Sequence, residues 1–180
     1  FIFQSPNNSV KIEFQGGEPL LNWDVIKSVV QYAKEKNVIF KKDLSFVVCT
    51  NLTLITDEKL SYLLSEKIQI STSLDGPSFI HEKNRKLRTL KSSYEVFAEK
   101  LVNCRDFGVP VSALMTTTRD SLAHFPEIVD EYISNGFDGI FFRPLNPYRY
   151  KNEKKEEIGY GAKEFVQAYR KGLDKKKKKN

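Results

Sequence analysis

Short apolar runs alternate along most of the chain with longer stretches in which apolar residues recur every three or four positions. The short runs predict β-strands at residues 10–14, 44–50, 69–74, 111–116 and 140–143. The longer stretches predict helices at residues 23–35, 57–65, 94–107, 125–135 and 162–172. This alternation favours a parallel sheet with right-handed crossovers. It predicts an α/β fold, either a TIM-like (β/α) barrel, complete or partial, or a doubly wound sheet.

Composition and charge narrow the class of protein. The chain has 180 residues, of which 40% are hydrophobic and 29% charged, as in ordinary globular proteins. It has no apolar run long enough to span a membrane and no signal-peptide pattern, so we expect a cytoplasmic protein without a membrane partner. We expect residues 1–150 to form the main domain and residues 151–180 a basic helix with a lysine-rich tail.

The net charge of +6 comes from the end of the chain. Residues 151–180 contain 11 basic and 5 acidic residues, whereas the rest of the chain is balanced. The run Lys175–Lys179 has no interleaved aromatic residues, which argues against a nucleic-acid partner and for a solvated helix end. The two cysteines, Cys49 and Cys104, are too few for a disulfide framework or a zinc site, and we interpret both as reduced core thiols.

Polar side chains occupy one face of three predicted strands. Because side chains alternate along a strand, the residues that share this face can be read from the sequence: Glu13, Gln15 and Gly17; Cys49 and Asn51; and Gln69, Ser71, Ser73 and Asp75. Both faces of such a sheet are usually covered, so a polar row indicates a polar interior or a ligand. We therefore predict a ligand site where these three strands end.

The segment FQGGEPLL, residues 14–21, joins the first strand to the first helix. Gly16 and Gly17 allow a ligand to approach the backbone, and Glu18 is a suitable acceptor for a cationic group. The alternative is a plain Gly-Gly turn with a solvated glutamate and Pro19 at the first helical position.

Three segments together resemble radical S-adenosylmethionine (SAM) enzymes: FQGGEPLL, TNLTLI at residues 50–55 and STSLDGPSFIHEKNR at residues 71–85. The chain most resembles the peptide-modifying maturases of the SPASM or twitch type, a group that includes the anaerobic sulfatase-maturating enzymes. The segments EFQGGEPLLNW and FFRPLNPY are most similar to the His-Xaa-Ser system maturases. The resemblance covers about residues 10–148 and implies a partial (β/α)6 TIM-like barrel that contains strands two to six.

The resemblance implies a set of SAM-binding residues. In the family the GGE segment holds the amino group of SAM, which implies this role for Gly16, Gly17 and Glu18, and the preceding Gln15 matches a position that also reaches SAM. The other implied contacts are Asn51, Ser71 and Ser73, with Arg85 as a candidate partner for the SAM carboxylate. Leu52 departs from the family, whose motif has glycine after the asparagine.

The resemblance also implies a [4Fe-4S] cluster held by a CxxxCxxC loop, which we expect upstream of Phe1. Cys49 and Cys104 cannot replace three converging thiolates, so no metal ligand is predicted within this sequence. The parent enzyme is expected to take an electron from a flavodoxin or ferredoxin, cleave SAM to a 5′-deoxyadenosyl radical and abstract hydrogen from a peptide. The fragment alone is expected to be inactive.

Two other classes of function remain open from the residues. One is a non-catalytic fragment that binds a ligand or peptide. The other is a (β/α) barrel hydrolase or aldolase, for which Glu18 and Asp75 are the only strand-end carboxylates and no strand-end lysine is present. Asp75 and Arg143 could each contact SAM or peptide, or serve a turn or an ion pair. We expect His81 and His124 to be surface or capping residues.

Overall fold

The computed structural model describes residues 2–87, 90–145 and 158–177. Two features of the sequence extend beyond these residues. The segment FFRPLNPY is described only as far as Leu145, and the side chains of the run Lys175–Lys179 lie outside the described residues.

Five parallel strands form one sheet, in which neighbours in space follow the chain order. The strands are β1 (Ser9–Phe14), β2 (Asp43–Cys49), β3 (Ile68–Ser73), β4 (Val111–Thr116) and β5 (Phe141–Arg143). The helices are α1 (Trp23–Phe40), α2 (Asp57–Ser65), α3 (Ser78–Asn84), α4 (Ser93–Asp106), α5 (Arg119–Ala123), α6 (Phe125–Ser134) and α7 (Ala162–Lys177). The predicted α/β class and partial TIM-like barrel are confirmed. Among the described residues, no helix is both long and apolar enough to cross a lipid bilayer.

The helix ends follow the signals in the sequence. Thr56 caps α2, because its hydroxyl accepts a hydrogen bond from the Lys59 backbone N–H at 3.4 Å. After α4, Gly108 takes a positive φ of 76°, and the Val109 N–H bonds the Cys104 carbonyl at 3.0 Å. Glycine adopts this conformation without steric cost, so each of these ends was predictable to within a residue or two.

Helix α1 is longer than predicted. It continues to Phe40 and ends at Lys41, which has a left-handed φ of 51° and donates its N–H to the Asn37 carbonyl at 2.8 Å. The Asn37 side chain also bonds the Lys42 N–H and carbonyl, at 2.8 and 2.7 Å. A side chain thus closes the helix where the sequence offers no glycine.

Four short elements of the described residues were missed, two α-helices and two 3-10 helices, of which the first 3-10 helix is Ile2–Gln4. Helices α3 and α5 have seven and five residues, too few to show an apolar repeat. Pro19–Asn22 forms a 3-10 helix before α1, with Pro19 at its first position and Glu18 as its N-cap.

The chain divides into two compact units, and the first comprises residues 1–72 and 97–112. Its core contains fully buried side chains of α1, β2, β3 and α2, such as Val30, Val48, Ile70 and Leu63. Burial of each such side chain stabilises the fold by about 1.5–3 kcal/mol. The opposite face of β1 is polar as predicted: Lys11 and Glu13 form an ion pair at 2.8 Å, and the hydrogen bond from Lys11 lowers the pKa of Glu13.

The second unit comprises residues 73–96 and 113–180. Its core includes the fully buried Phe125 and Tyr132 of α6 and Met115 of β4. The Tyr132 hydroxyl donates to the Leu74 carbonyl at 2.6 Å, and burial raises the pKa of this tyrosine. Helix α7 packs on α6 at Gly172, where a Cβ atom would lie 3.3 Å from the Phe125 ring.

Candidate functional site

The Glu18 carboxylate in the first unit accepts three hydrogen bonds. Its Oε1 accepts hydrogen bonds from the Leu20 N–H at 3.1 Å and the Thr50 hydroxyl at 2.7 Å. Its Oε2 accepts one from the Asn51 N–H at 2.9 Å. Among the residues that the structure describes, no Lys, Arg or His nitrogen lies within 4.0 Å of this carboxylate. The half-buried Glu18 is therefore held by neutral donors alone and is not a freely solvated glutamate.

The turn after β2 supplies two of these donors. Thr50 is 4% exposed, and its hydroxyl oxygen accepts the Leu52 N–H at 3.1 Å. The Asn51 side-chain oxygen accepts both the N–H and the hydroxyl of Thr53, at 3.0 and 2.6 Å. Leu52 has a left-handed φ of 66° and a fully buried side chain. Leucine thus adopts a backbone conformation that usually selects glycine, at a cost of about 1–2 kcal/mol.

Gly16 and Gly17 precede Glu18 and are exposed. Gly16 has a φ of 153°, which side chains rarely adopt, whereas Gly17 has no positive φ. A Cβ atom on Gly17 would meet nothing within 4 Å, so the chain itself does not require glycine there. Gln15 donates its side-chain amide to Glu13 at 2.6 Å and lies on the same polar face.

Ser71 lies beside the turn that carries Thr50 and Asn51. Its carbonyl accepts the Thr50 N–H at 3.0 Å, and it pairs in register with Cys49. Cys49 is only half-buried, which corrects its interpretation as a core thiol: it belongs to the polar face of β2. Cys104 is fully buried, as predicted, and burial raises its pKa to about 11.

The second unit contains Ser73, Asp75 and Arg85. Ser73 is half-buried at the end of β3. The Asp75 side chain is 2% exposed and forms a two-pronged ion pair with Arg85, whose Nε and Nη2 lie 2.8 and 3.1 Å from its two carboxylate oxygens. Asp75 Oδ1 also accepts the Thr116 N–H at 3.1 Å. Asp75 is therefore a buried link between β3, β4 and the end of α3.

His81 was expected at the surface, and this expectation is wrong. It is 3% exposed because α3, which the sequence did not reveal, turns its ring inward. Its Nδ1 accepts the Asp75 N–H at 3.4 Å. Burial lowers the pKa of His81 to about 4, with the Arg85 charge acting in the same direction and the Asp75 charge opposing it. At neutral pH the imidazole is therefore uncharged and able to accept this hydrogen bond.

A cavity of about 670 Å³ lies in the second unit. Asp75 and Arg85 line it together with Lys86, Thr116 and Leu145. Two of the five N–H donors of Arg85 are used by Asp75, and within the described ranges the other three are available to another acceptor. The cavity can therefore accept an anionic group.

Two other predicted residues lie elsewhere in this unit. Arg143 is exposed at the end of β5, and its carbonyl accepts the N–H and hydroxyl of Thr117. His124 lies between α5 and α6, as expected for a capping residue, and its ring makes an edge contact with Phe79.

The comparisons with known proteins identify the family. The model of the Radical SAM superfamily matches residues 3–140, and the chain belongs to this superfamily. The predicted resemblance to radical SAM enzymes is thus confirmed, whereas the narrower similarity to the His-Xaa-Ser system maturases stays a prediction. The family uses SAM and a [4Fe-4S] cluster.

Individual relatives differ in what they do. The chain is 32% identical over 120 residues to an Fe-coproporphyrin III synthase of Methanosarcina barkeri, covering 66% of this chain and 28% of the relative. It is 23% identical over 160 residues to a cysteine-type anaerobic sulfatase-maturating enzyme of Clostridium novyi, covering 88% and 42%.

The solved structure of native anSMEcpe with bound AdoMet and Kp18Cys peptide has the same fold. Its TM-score is 0.84 at 21% identity, with 96% of this chain and 48% of that chain covered. The chain therefore spans half or less of the length of these relatives.

Proposed function

We propose that this chain is the part of a radical SAM enzyme that receives SAM, and that the whole enzyme modifies a peptide. The observation that carries the proposal is the Glu18 carboxylate, which is fixed by three neutral donors and lacks a cationic partner among the described residues. The amino group of SAM carries N–H donors, which this carboxylate can accept in charge-assisted hydrogen bonds.

The proposed SAM contacts fall into two groups. In the first unit, Glu18 and the backbone of Gly16 and Gly17 receive the amino group, with Gln15, Asn51 and Ser71 as further contacts. In the second unit, Ser73 and the remaining donors of Arg85 are the proposed contacts for the ribose and carboxylate. The 670 Å³ cavity beside Arg85 supports an anion contact there.

The cluster needs ligands that this sequence does not provide. Three converging thiolates are required, whereas the chain has two cysteines, one of them fully buried with a raised pKa. We therefore propose that the cluster ligands come from residues outside this sequence. When bound, the cluster supplies the electron that splits SAM into methionine and a 5′-deoxyadenosyl radical.

A peptide substrate is supported by two relatives. One acts as a sulfatase-maturating enzyme, and the fold match at TM-score 0.84 has a bound peptide. The Fe-coproporphyrin III synthase shows that similar chains serve other reactions, so the substrate class is part of the test. A flavodoxin or ferredoxin as reductant, a cytoplasmic location and a domain limit near residue 150 stay predictions.

The test uses a longer protein that contains this chain and carries a reconstituted cluster. With dithionite as the electron source, we expect SAM to yield methionine and 5′-deoxyadenosine, measured by chromatography. Addition of a deuterated candidate peptide should place deuterium in the 5′-deoxyadenosine. Addition of a deuterated porphyrin should not. Absence of 5′-deoxyadenosine from the loaded protein would contradict the proposed activity, and deuterium transfer from porphyrin alone would contradict the peptide assignment.

A further inference from the structure

We infer that Thr50 is a positioning residue for Glu18, because its hydroxyl occupies one carboxylate oxygen and leaves the other open to the ligand's amino group. The inference rests on the proposed function of Glu18. It concerns a residue outside the set of SAM contacts that the resemblance implies.

The direction of the Thr50 hydroxyl is determined by its two partners. An ionised carboxylate can only accept, so the single O–H proton of Thr50 points to Glu18 Oε1 at 2.7 Å. The hydroxyl oxygen in turn accepts the Leu52 N–H at 3.1 Å. Thr50 is 4% exposed, so water does not compete for these bonds. A β-branched side chain is also stiff at χ1, which keeps the hydroxyl in place.

The remaining acceptor positions of Glu18 can be counted. Each carboxylate oxygen offers about two lone-pair positions. Oε1 already accepts the Leu20 N–H and the Thr50 hydroxyl, whereas Oε2 accepts only the Asn51 N–H. Within the described part of the chain, one position on Oε2 is therefore left for an N–H of the ligand's amino group. Without the Thr50 hydroxyl, Oε1 would also have an open position and the carboxylate could rotate.

Thr50 also connects this carboxylate to the strained turn. The Leu52 N–H that it accepts belongs to the residue with a left-handed φ of 66°. The same turn presents the Asn51 N–H to Oε2. The Thr50 hydroxyl thus links Glu18 directly to the turn that also supplies the Asn51 N–H.

The test is a double-mutant cycle on SAM affinity, measured by calorimetry on a cluster-loaded longer protein that contains this chain. Thr50→Val keeps the shape but removes the hydroxyl, and we expect SAM affinity to fall about three- to tenfold, the range for one neutral hydrogen bond. Thr50→Ser restores the hydroxyl and should stay within about twofold of wild type by the same reasoning. In a Glu18→Ala background, Thr50→Val should cause no further loss.

A SAM analogue without the amino group separates positioning from a general structural effect. We expect Thr50→Val to weaken SAM binding but not binding of this analogue. Equal loss for both ligands, or an additive loss in the Glu18→Ala background, would overturn the inference. If Glu18→Ala itself leaves SAM affinity unchanged, the proposed role of Glu18 fails. If Glu18→Ala weakens binding but Thr50→Val does not, only the role of Thr50 fails.

If Thr50→Val does not fold, Glu18→Gln provides the second test. Its amide oxygen should take the Oε1 position, because the Leu20 N–H and Thr50 hydroxyl both donate there. Its NH₂ group would then face the N–H donors of the ligand's amino group, donor to donor. We expect Glu18→Gln to lose as much SAM affinity as Glu18→Ala, and retained affinity would overturn the assignment of Oε2 as the open oxygen.

Discussion

The two units each hold a carboxylate at a strand end, and the two carboxylates differ in their partners. Asp75 in the second unit has its cation within the chain, since Arg85 contacts both of its oxygens and the Thr116 N–H adds a third bond. Glu18 in the first unit has three neutral donors and, within the described ranges, no cation. A buried carboxylate with its own arginine is complete without a ligand, whereas one held only by neutral donors can still receive a positive charge.

This difference separates a structural carboxylate from the carboxylate that we propose binds the ligand, although both are acidic residues beside glycine and proline in the sequence. It also changes the interpretation of Arg85. That side chain is fixed by Asp75 and keeps only part of its donors for a ligand. The comparison predicts that loss of Asp75 reduces stability, whereas loss of Glu18 reduces SAM affinity.

The largest expected effect is the loss of stability in Asp75→Ala. The substitution leaves Arg85 without its partner and the Thr116 N–H without an acceptor. Removal of one member of a buried pair usually costs 3–5 kcal/mol, and because Arg85 is 31% exposed we expect about 2–4 kcal/mol. The measurement is the free energy of unfolding in urea.

Asp75→Asn is the matched control for this prediction. It keeps an oxygen for the Thr116 N–H and should therefore lose less stability than Asp75→Ala. A loss below about 1 kcal/mol in Asp75→Ala would mean that the pair of Asp75 with Arg85 contributes no more stability than an exposed ion pair. The contrast between Asp75 and Glu18 would then fail.

The pH dependence of stability tests the uncharged state of His81 beside Asp75. Its pKa is about 4 in the folded chain and near 6.5 when unfolded, so the unfolded state binds the proton first as the pH falls. The contribution of His81 is thus fully present above pH 6.5 and is lost as the pH falls towards 4. Between pH 7 and 4.5 this loss amounts to about 2–3 kcal/mol.

His81→Gln removes this titration, so its unfolding free energy should fall less than that of the wild type over the same pH range. Urea unfolding at both pH values gives the difference between the two chains directly. Equal acid sensitivity of wild type and His81→Gln would mean that His81 becomes protonated in the folded state.

A smaller effect tests the turn that holds Glu18. Within a helix or strand, a variant with glycine is usually less stable than the same protein with alanine at that position by about 0.5–1 kcal/mol. At Leu52, with its φ of 66°, the order should reverse, and Leu52→Gly should be more stable than Leu52→Ala by about 1 kcal/mol. Leu60, equally buried but helical, should keep the usual order. The same order at both sites would contradict the left-handed turn.

The sequence predicted every strand and the five longest helices in the part of the chain that the structure describes. These elements have apolar repeats and end at strong signals, such as Thr56 before α2 and Gly136 after α6. It did not predict α3, because seven residues do not complete two turns. As a result, the burial of His81 was missed as well.

The sequence indicated which residues belong to the candidate site but not which contacts they make with one another. The sequence indicated Glu18 and Asn51, whereas the contact of Glu18 with Thr50 joins residues from two different strand ends. Such a contact depends on strand register, which the pattern of apolar residues does not give for a strand end. The ten-residue spacing of Asp75 and Arg85 could have indicated their pair only if α3 had been recognised.

The most direct test of the account is the SAM affinity of Glu18→Ala, measured by calorimetry on a cluster-loaded longer protein that contains this chain. The control is Asp24→Ala, which removes a carboxylate that is 92% exposed on α1. Loss of a charge-assisted hydrogen bond should lower SAM affinity about ten- to a hundredfold in Glu18→Ala, with no change in the control. Unchanged affinity in Glu18→Ala would contradict the central claim and leave Glu18 as the N-cap of the 3-10 helix alone.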